Sequence, residues 1–244
     1  MKKLVFLVFL VVFVSSAALA DFVEGEMPVW AVNSDTAYGL QGGEWSIDIS
    51  GPVTFGIIDG LQLGTIFWPW FAQIPSVYGK WNFIKETESL PALAIGGKFM
   101  QATFENTSKT AKLTIQYFNI SGYVSKKISD NLYLTGSYTY NKLNFSTSSE
   151  DIDNFILDAL KDITGQEDPT SISNITVSLI YQMSKSTRFL LEGAANIYDK
   201  AYYYASPGFE WALGDVFRLK LSVSTVFGET NHYVPYINMR LRFK

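Results

Sequence analysis

The sequence predicts an all-β chain closed into one antiparallel transmembrane barrel, and three observations carry that expectation. Apolar and polar residues alternate along most of the chain, the alternating segments are long, and tight turn sequences separate several of them. Leu132, Leu134, Gly136, Tyr138 and Tyr140 share one face against Thr135, Ser137, Thr139 and Asn141. Ile175, Val177, Leu179, Tyr181 and Met183 oppose Thr176, Ser178 and Gln182 in the same way. Phe217, Leu219, Leu221, Val223 and Phe227 oppose Arg218, Lys220, Ser222 and Ser224. Period-two patterning sends successive side chains to opposite faces of a strand. Globular strands average about 5–6 residues, whereas a tilted membrane-crossing strand needs about 9–11. In lipid only closure satisfies every strand edge.

Composition agrees. The 244 residues are 48% hydrophobic and 17% charged, with 18 Phe, 14 Tyr and 6 Trp. That charged share lies below the roughly 25% of a soluble domain. The aromatic content excludes a disordered chain. Zero cysteine excludes disulfide scaffolds, thiol chemistry and a lipid-modified cysteine, and a single histidine argues against a zinc site.

Residues 1–20 read as a cleaved signal peptide. Lys2 and Lys3 precede an apolar run from Leu4 to Val14, and Ala18-Leu19-Ala20 supplies the small-x-small cleavage pattern. Losing both lysines takes the net charge from −4 to −6, which argues against nucleic acid as a partner. The barrel is then expected over 21–244.

Strands are expected near 44–58, 61–71, 76–86, 91–104, 112–127, 131–145, 171–184, 187–198, 201–213, 216–227 and 232–243. Asp59-Gly60, Ser129 to Asn131, Lys185-Ser186 and Gly214-Asp215 read as their tight turns. Short turns belong on the periplasmic side and long loops outside. These eleven strands put the N-terminus on the wrong side, so a twelfth is expected within Val29 to Leu40, before Gly42-Gly43. Twelve strands are expected, with ten as the alternative.

The chain end carries the most specific signal. Ile237, Met239, Leu241 and Phe243 alternate with Asn238, Arg240 and Arg242, and Lys244 follows. This pattern resembles the closing strand of bacterial outer-membrane β-barrel proteins, without narrowing to one functional family. The resemblance implies an outer-membrane location, insertion by the barrel-assembly machinery and membrane lipid as a partner.

Two further features fit a bilayer. Trp68, Trp70 and Phe71, and likewise Tyr202, Tyr203 and Tyr204, cluster at strand ends, with Trp45, Trp81 and Trp211 near others, as aromatic girdles do. The segment 146–170 interrupts the alternation, with Ile152, Phe155, Ile156, Ala159, Leu160 and Ile163 at helical spacing. Ser149 suits a cap and Gly165 a stop, so a short acidic helix is expected in an external loop.

The polar faces line the lumen. Alternation puts Lys80, Lys98, Arg188, Glu192, Glu210, Arg218, Lys220, Arg240 and Arg242 inside, seven basic against two acidic. A charge on the lipid face would cost about 2–4 kcal/mol at the midplane. A basic lumen suits a water-filled, porin-like channel that passes small solutes or anions. The alternative is a lumen closed by salt bridges, in a structural or surface-interaction barrel such as an adhesin or receptor scaffold. His232 lies near Glu229, but no nucleophile motif accompanies it. Glu86 and Glu88 read as solvated turn residues, and no metal spacing is visible. No catalytic residue, cofactor or metal is therefore expected.

Overall fold

The computed structural model describes Phe22, 26–49, 51–66, Trp70, 74–105, 112–147, Asn154, Leu157, Asp158, Lys161, 170–197, 203–227 and 232–243. The signal sequence lies outside the described residues. Twelve strands run in chain order: β1 Trp45–Asp48, β2 Pro52–Ile58, β3 Leu61–Ile66, β4 Ser76–Ile84, β5 Ala92–Glu105 and β6 Lys112–Ser129. They continue as β7 Leu132–Thr147, β8 Ser171–Ser184, β9 Thr187–Asn196, β10 Tyr203–Ala212, β11 Phe217–Phe227 and β12 His232–Phe243. Each pairs with its neighbours in sequence, antiparallel throughout, and β1 pairs with β12 to close the ring.

The count is twelve, but the twelfth strand is not where the sequence put it. Residues expected as one strand over 44–58 form two, β1 and β2. Proline has no N–H to give a ladder and tolerates a strand's first position, and Pro52 stands there. Val29 to Leu40 is no wall strand: it lies inside the barrel. The first three strands are also short, at 4, 7 and 6 residues, whereas β5 to β8 have 14, 18, 16 and 14.

One end of the barrel, the short-turn end, carries the two-residue turns β2–β3, β6–β7 and β8–β9. Gly60 and Gly214 take φ of 87° and 104° there, a region where a Cβ is strained. Register shifts sit beside four turns at this end, between Gly56 and Ile58, Asn82 and Ile84, Lys127 and Ser129, and Gln182 and Ser184. Such bulges sharpen twist at a barrel rim. At the opposite, long-loop end, Asn154, Leu157, Asp158 and Lys161 are helical, and the rest of the expected helix lies outside the described residues.

The outer face is apolar and uncovered. Val77, Ile95, Leu134, Val177, Leu191 and Ile237 all point outward, with relative exposures from 43% to 60%. Aromatic rings band the short-turn rim. Trp45 packs on Phe55 with centroids 4.7 Å apart, Trp81 on Phe83 at 5.9 Å, and Phe209 on Phe189 and Trp211 at 5.4 and 5.7 Å. Trp70 and Tyr203 are exposed at the far end, while Trp68, Phe71 and Tyr202 lie outside the described residues. Tyr204 departs from the girdle expectation: its hydroxyl turns inward to Glu192, 2.8 Å away.

Candidate functional site: a lumen closed from within

Residues 26–40 lie inside the lumen, and 41–43 are exposed at its rim. The segment folds back on itself, with Trp30 bridging Asp35, Ala31 N–H donating to Ser34 O (2.9 Å) and Thr36 N–H to Val29 O (3.0 Å). This small hairpin carries Asn33 and Ser34 at its tip. Both of its ends lie at the short-turn rim. Phe22 N–H donates to Lys185 O in the β8–β9 turn (2.7 Å), and Gly43 N–H donates to Gly56 O near the end of β2 (2.8 Å).

Apolar packing holds one flank. Ala31, Val32, Ala37 and Tyr38 of the hairpin pack against Ala92, Ala94, Tyr133, Ile180 and Leu190 of the wall. Burying a side chain the size of valine contributes about 1.5–3 kcal/mol, so this patch is a substantial anchor. Glycine lets the backbones approach elsewhere. A Cβ on Gly56 would stand 2.0 Å from Gln41 O, and one on Gly39 2.9 Å from Gly60 Cα.

Polar groups of the wall satisfy the hairpin's backbone. Lys220 Nζ donates to Ala31 O (2.7 Å) and Val32 O (2.9 Å), and Lys80 Nζ to Thr36 O (3.3 Å). Asn82 Nδ2 donates to Ala37 O (2.7 Å), Ala37 N–H to Ser125 Oγ (2.8 Å) and Leu40 N–H to Gln62 Oε1 (3.0 Å). Buried backbone groups left without partners are costly, and a hairpin in a barrel has no sheet to complete them. The guanidinium of Arg240 lies over the Trp30 ring, 4.3 Å from its centroid.

Glu192 receives the tip. Its fully buried carboxylate accepts from Asn33 N–H (3.2 Å), Ser34 N–H (3.1 Å) and Ser34 Oγ (2.7 Å). Tyr204 and Ser178 hydroxyls donate to it as well, at 2.8 and 3.2 Å. Backbone and hydroxyl donors, rather than an ion pair, hold this carboxylate.

Near the short-turn rim the arginines gather acids. Arg218 Nη2 meets Glu26 Oε2 at 2.5 Å, Arg242 Nη1 meets Glu26 Oε1 at 3.3 Å, and Arg188 lies 3.9 Å from the same carboxylate. Glu210 pairs with Arg188 (3.3 Å) and Arg240, and Glu44 pairs with Arg242. Burial works against the charged Glu26 carboxylate, but the Arg218 hydrogen bond and the charges of Arg242, Arg188 and Arg218 overcome it and hold its pKa below the usual glutamate value. A ring of buried guanidinium groups without such partners would be strongly destabilising.

The structure therefore places all nine lumen-face residues on the inner wall, but their neighbours alter what they do. Glu26, Asp35, Glu44 and Asp48 also face the interior and were not read from the sequence as lumen groups. Of these, Asp35 lies in the stretch from Val29 to Leu40 expected as a wall strand, and Glu26 and Glu44 flank it. Glu86 corrects a second expectation. It is no solvated turn residue: it accepts from Tyr38 Oη (2.7 Å) and Lys127 N–H (2.7 Å) and pairs with Lys126 (3.5 Å). Burial, together with Glu86, drives the Tyr38 hydroxyl pKa upward, so the phenol stays a donor. His232 begins β12, exposed and remote from this cluster.

The hairpin separates two cavities. The one at the short-turn end, about 260 Å³, is bounded by Met27, Tyr38, Leu40, Asn82, Glu86 and Arg242. The one on the long-loop side of the tip, about 210 Å³, is a polar well with Asn33, Ser34 and Asp35 as its floor. Lys98, Asn119, Tyr123, Asn174, Thr176 and Tyr204 stand around it. Among the described residues no cluster of metal-ligating side chains occurs.

Fold and site together define a twelve-stranded antiparallel barrel whose lumen holds an inserted hairpin. No known protein family and no curated protein matches the chain. Among solved structures it is similar to the outer-membrane expressed OmpT of Vibrio cholerae, with 13% identity and a TM-score of 0.40 over 79% of this chain. The match spans 64% of that protein's length, a little under two thirds.

Proposed function

We propose that this protein is an outer-membrane barrel that binds a small solute at its outer face and does not conduct as a standing pore. The apolar outer surface and the aromatic rim support a place in a bilayer. The observation that carries the closed reading is the capture of Ala31 O and Val32 O by Lys220 Nζ. A cation expected to line an aqueous channel is instead fixed to backbone inside it. The polar well then remains as the inner surface open to a solute, and short turns on the periplasmic side would face it outward.

Planar-bilayer recording tests the closed reading. The full chain should give no steps above background at 1 M KCl and 100 mV. Stable anion-selective steps from the unmodified chain would overturn it in favour of a porin-like channel.

A further inference from the structure

The well holds two opposite charges that do not meet. Asp35 stands at its floor, where Oδ2 accepts from Tyr78 Oη (2.9 Å) and more distantly from Tyr123 Oη (3.5 Å). Lys98 stands on the β5 wall with its ammonium 6.0 Å from the centroid of the Tyr78 ring. Both line the same 210 Å³ space, yet among the described residues neither forms an ion pair. Elsewhere in this lumen the buried charges behave differently: Glu26, Glu44 and Glu210 each take an arginine, and Glu192 takes the tip's donors. Asp35 has two phenols for one oxygen and forms no ion pair; the buried Lys80 feels its charge but donates to Thr36 O instead.

From this juxtaposition we infer that the well binds a small zwitterion, an amino acid or dipeptide, with its ammonium on Asp35 and its carboxylate on Lys98. A singly charged ligand would engage one group and leave the other without an ion-pair partner in the well. A zwitterion satisfies both, and such charge-assisted hydrogen bonds are about twice as strong as neutral ones. The volume is below the 300 Å³ at which drug-sized pockets begin, which suits a ligand of amino-acid size. Asn174, Thr176 and Asn119 add amide and hydroxyl groups for the ligand's remaining polar atoms. The inference rests on the closed reading, because the hairpin tip supplies the carboxylate.

Calorimetric titration of the full chain in detergent micelles tests it, using L-serine, glycylglycine, N-acetyl-L-serine, L-serine methyl ester and glucose. At least one zwitterion should bind, and loss of either ligand charge should weaken binding at least tenfold. Lys98→Gln should weaken zwitterion binding by the same factor while leaving the barrel folded, since Lys98 holds no part of the hairpin. Asp35→Asn should do likewise, with heat-modifiable migration on gels checking that the barrel is intact. Absence of binding by both zwitterions, equal binding of the acetylated or esterified serine, or an unaffected Lys98→Gln variant would each overturn the inference. Binding of glucose alone would replace it with a saccharide site. A silent bilayer without binding defeats this inference only, whereas an open pore defeats the reading beneath it.

Discussion

Arg218 and Glu26, 192 residues apart in sequence, meet at 2.5 Å where the inserted segment enters the barrel. The pair joins the second-last strand to the mouth of the hairpin, and Phe22 lies between Arg188 and Arg218, 3.8 and 5.2 Å from their guanidinium carbons. The N-terminal segment is thus fastened by the wall's own cations.

Acid should loosen that fastening. Glu26 has a folded pKa below its ordinary value of 4.5, so its contribution to stability is present above pH 4.5 and is lost as pH falls through the lower folded value. Protection of the amides of Val29 to Leu40, measured against their intrinsic exchange rate at each pH, should therefore fall below pH 4.5 while strand amides stay protected. Glu26→Gln should give the faster exchange already at pH 7, at a cost of about 3–5 kcal/mol for leaving buried guanidinium groups short of a partner. Unchanged exchange in that variant would remove Glu26 from the anchor.

Lys220→Met keeps the length of the side chain and removes its donor. The carbonyls of Ala31 and Val32 then lose the buried ammonium, a loss of about 1–3 kcal/mol per unsatisfied group. The barrel should form normally, but its hairpin should become cleavable by protease at lower temperature than in the parent.

Deleting residues 22–40 should open the lumen. Glu26 and Asp35 leave with the segment, while all seven basic wall residues stay against Glu44, Asp48, Glu192 and Glu210. Bilayer recordings should show steps absent from the full chain, with reversal potentials displaced toward anion preference. Arg218→Gln with Lys220→Gln in the deleted form should reduce that preference, since a cationic low-dielectric wall raises the local anion concentration.

Gly56→Ala tests the close approach of hairpin and wall. A methyl there would stand 2.0 Å from Gln41 O, so strand β2 or the segment must move. Heat-modifiable barrel should fall well below the parent level. Gly122→Ala is the matched control, because nothing lies within 4 Å of the added carbon.

Closure has its own test at the seam, where Phe243 pairs with Trp45 and Arg240 with Asp48. Removing Phe243-Lys244 should leave little inserted barrel and much degraded chain; full insertion would show that the ring does not depend on that contact.

The ring itself was legible because strands of ten or more residues repeat one simple pattern. The alternation of Leu132 to Asn141 or Ile175 to Met183 has no other economical explanation. The inserted segment was not legible for a physical reason. Val29, Trp30, Ala31 and Val32 have the apolar, β-branched content of a strand, and a hairpin buried in a lumen needs that same content. Composition does not say whether the neighbour is lipid or the inside of a wall. Glu86 was missed similarly: a turn carboxylate reads as solvated until Tyr38, 48 residues earlier in sequence, is known to reach it. The break at Gly51-Pro52 was present in the sequence and marks the boundary between β1 and β2.

The inserted hairpin goes in and comes out through the same rim, with Phe22 at the Lys185 turn and Gly43 beside Gly56. The described segment is consequently not threaded: pulling the hairpin out would draw a loop back through one mouth. Wall and stopper are topologically independent, so the twelve strands need not part for the stopper to move. Its removal breaks only contacts between the segment and the wall, and the β1–β12 seam can remain zipped throughout.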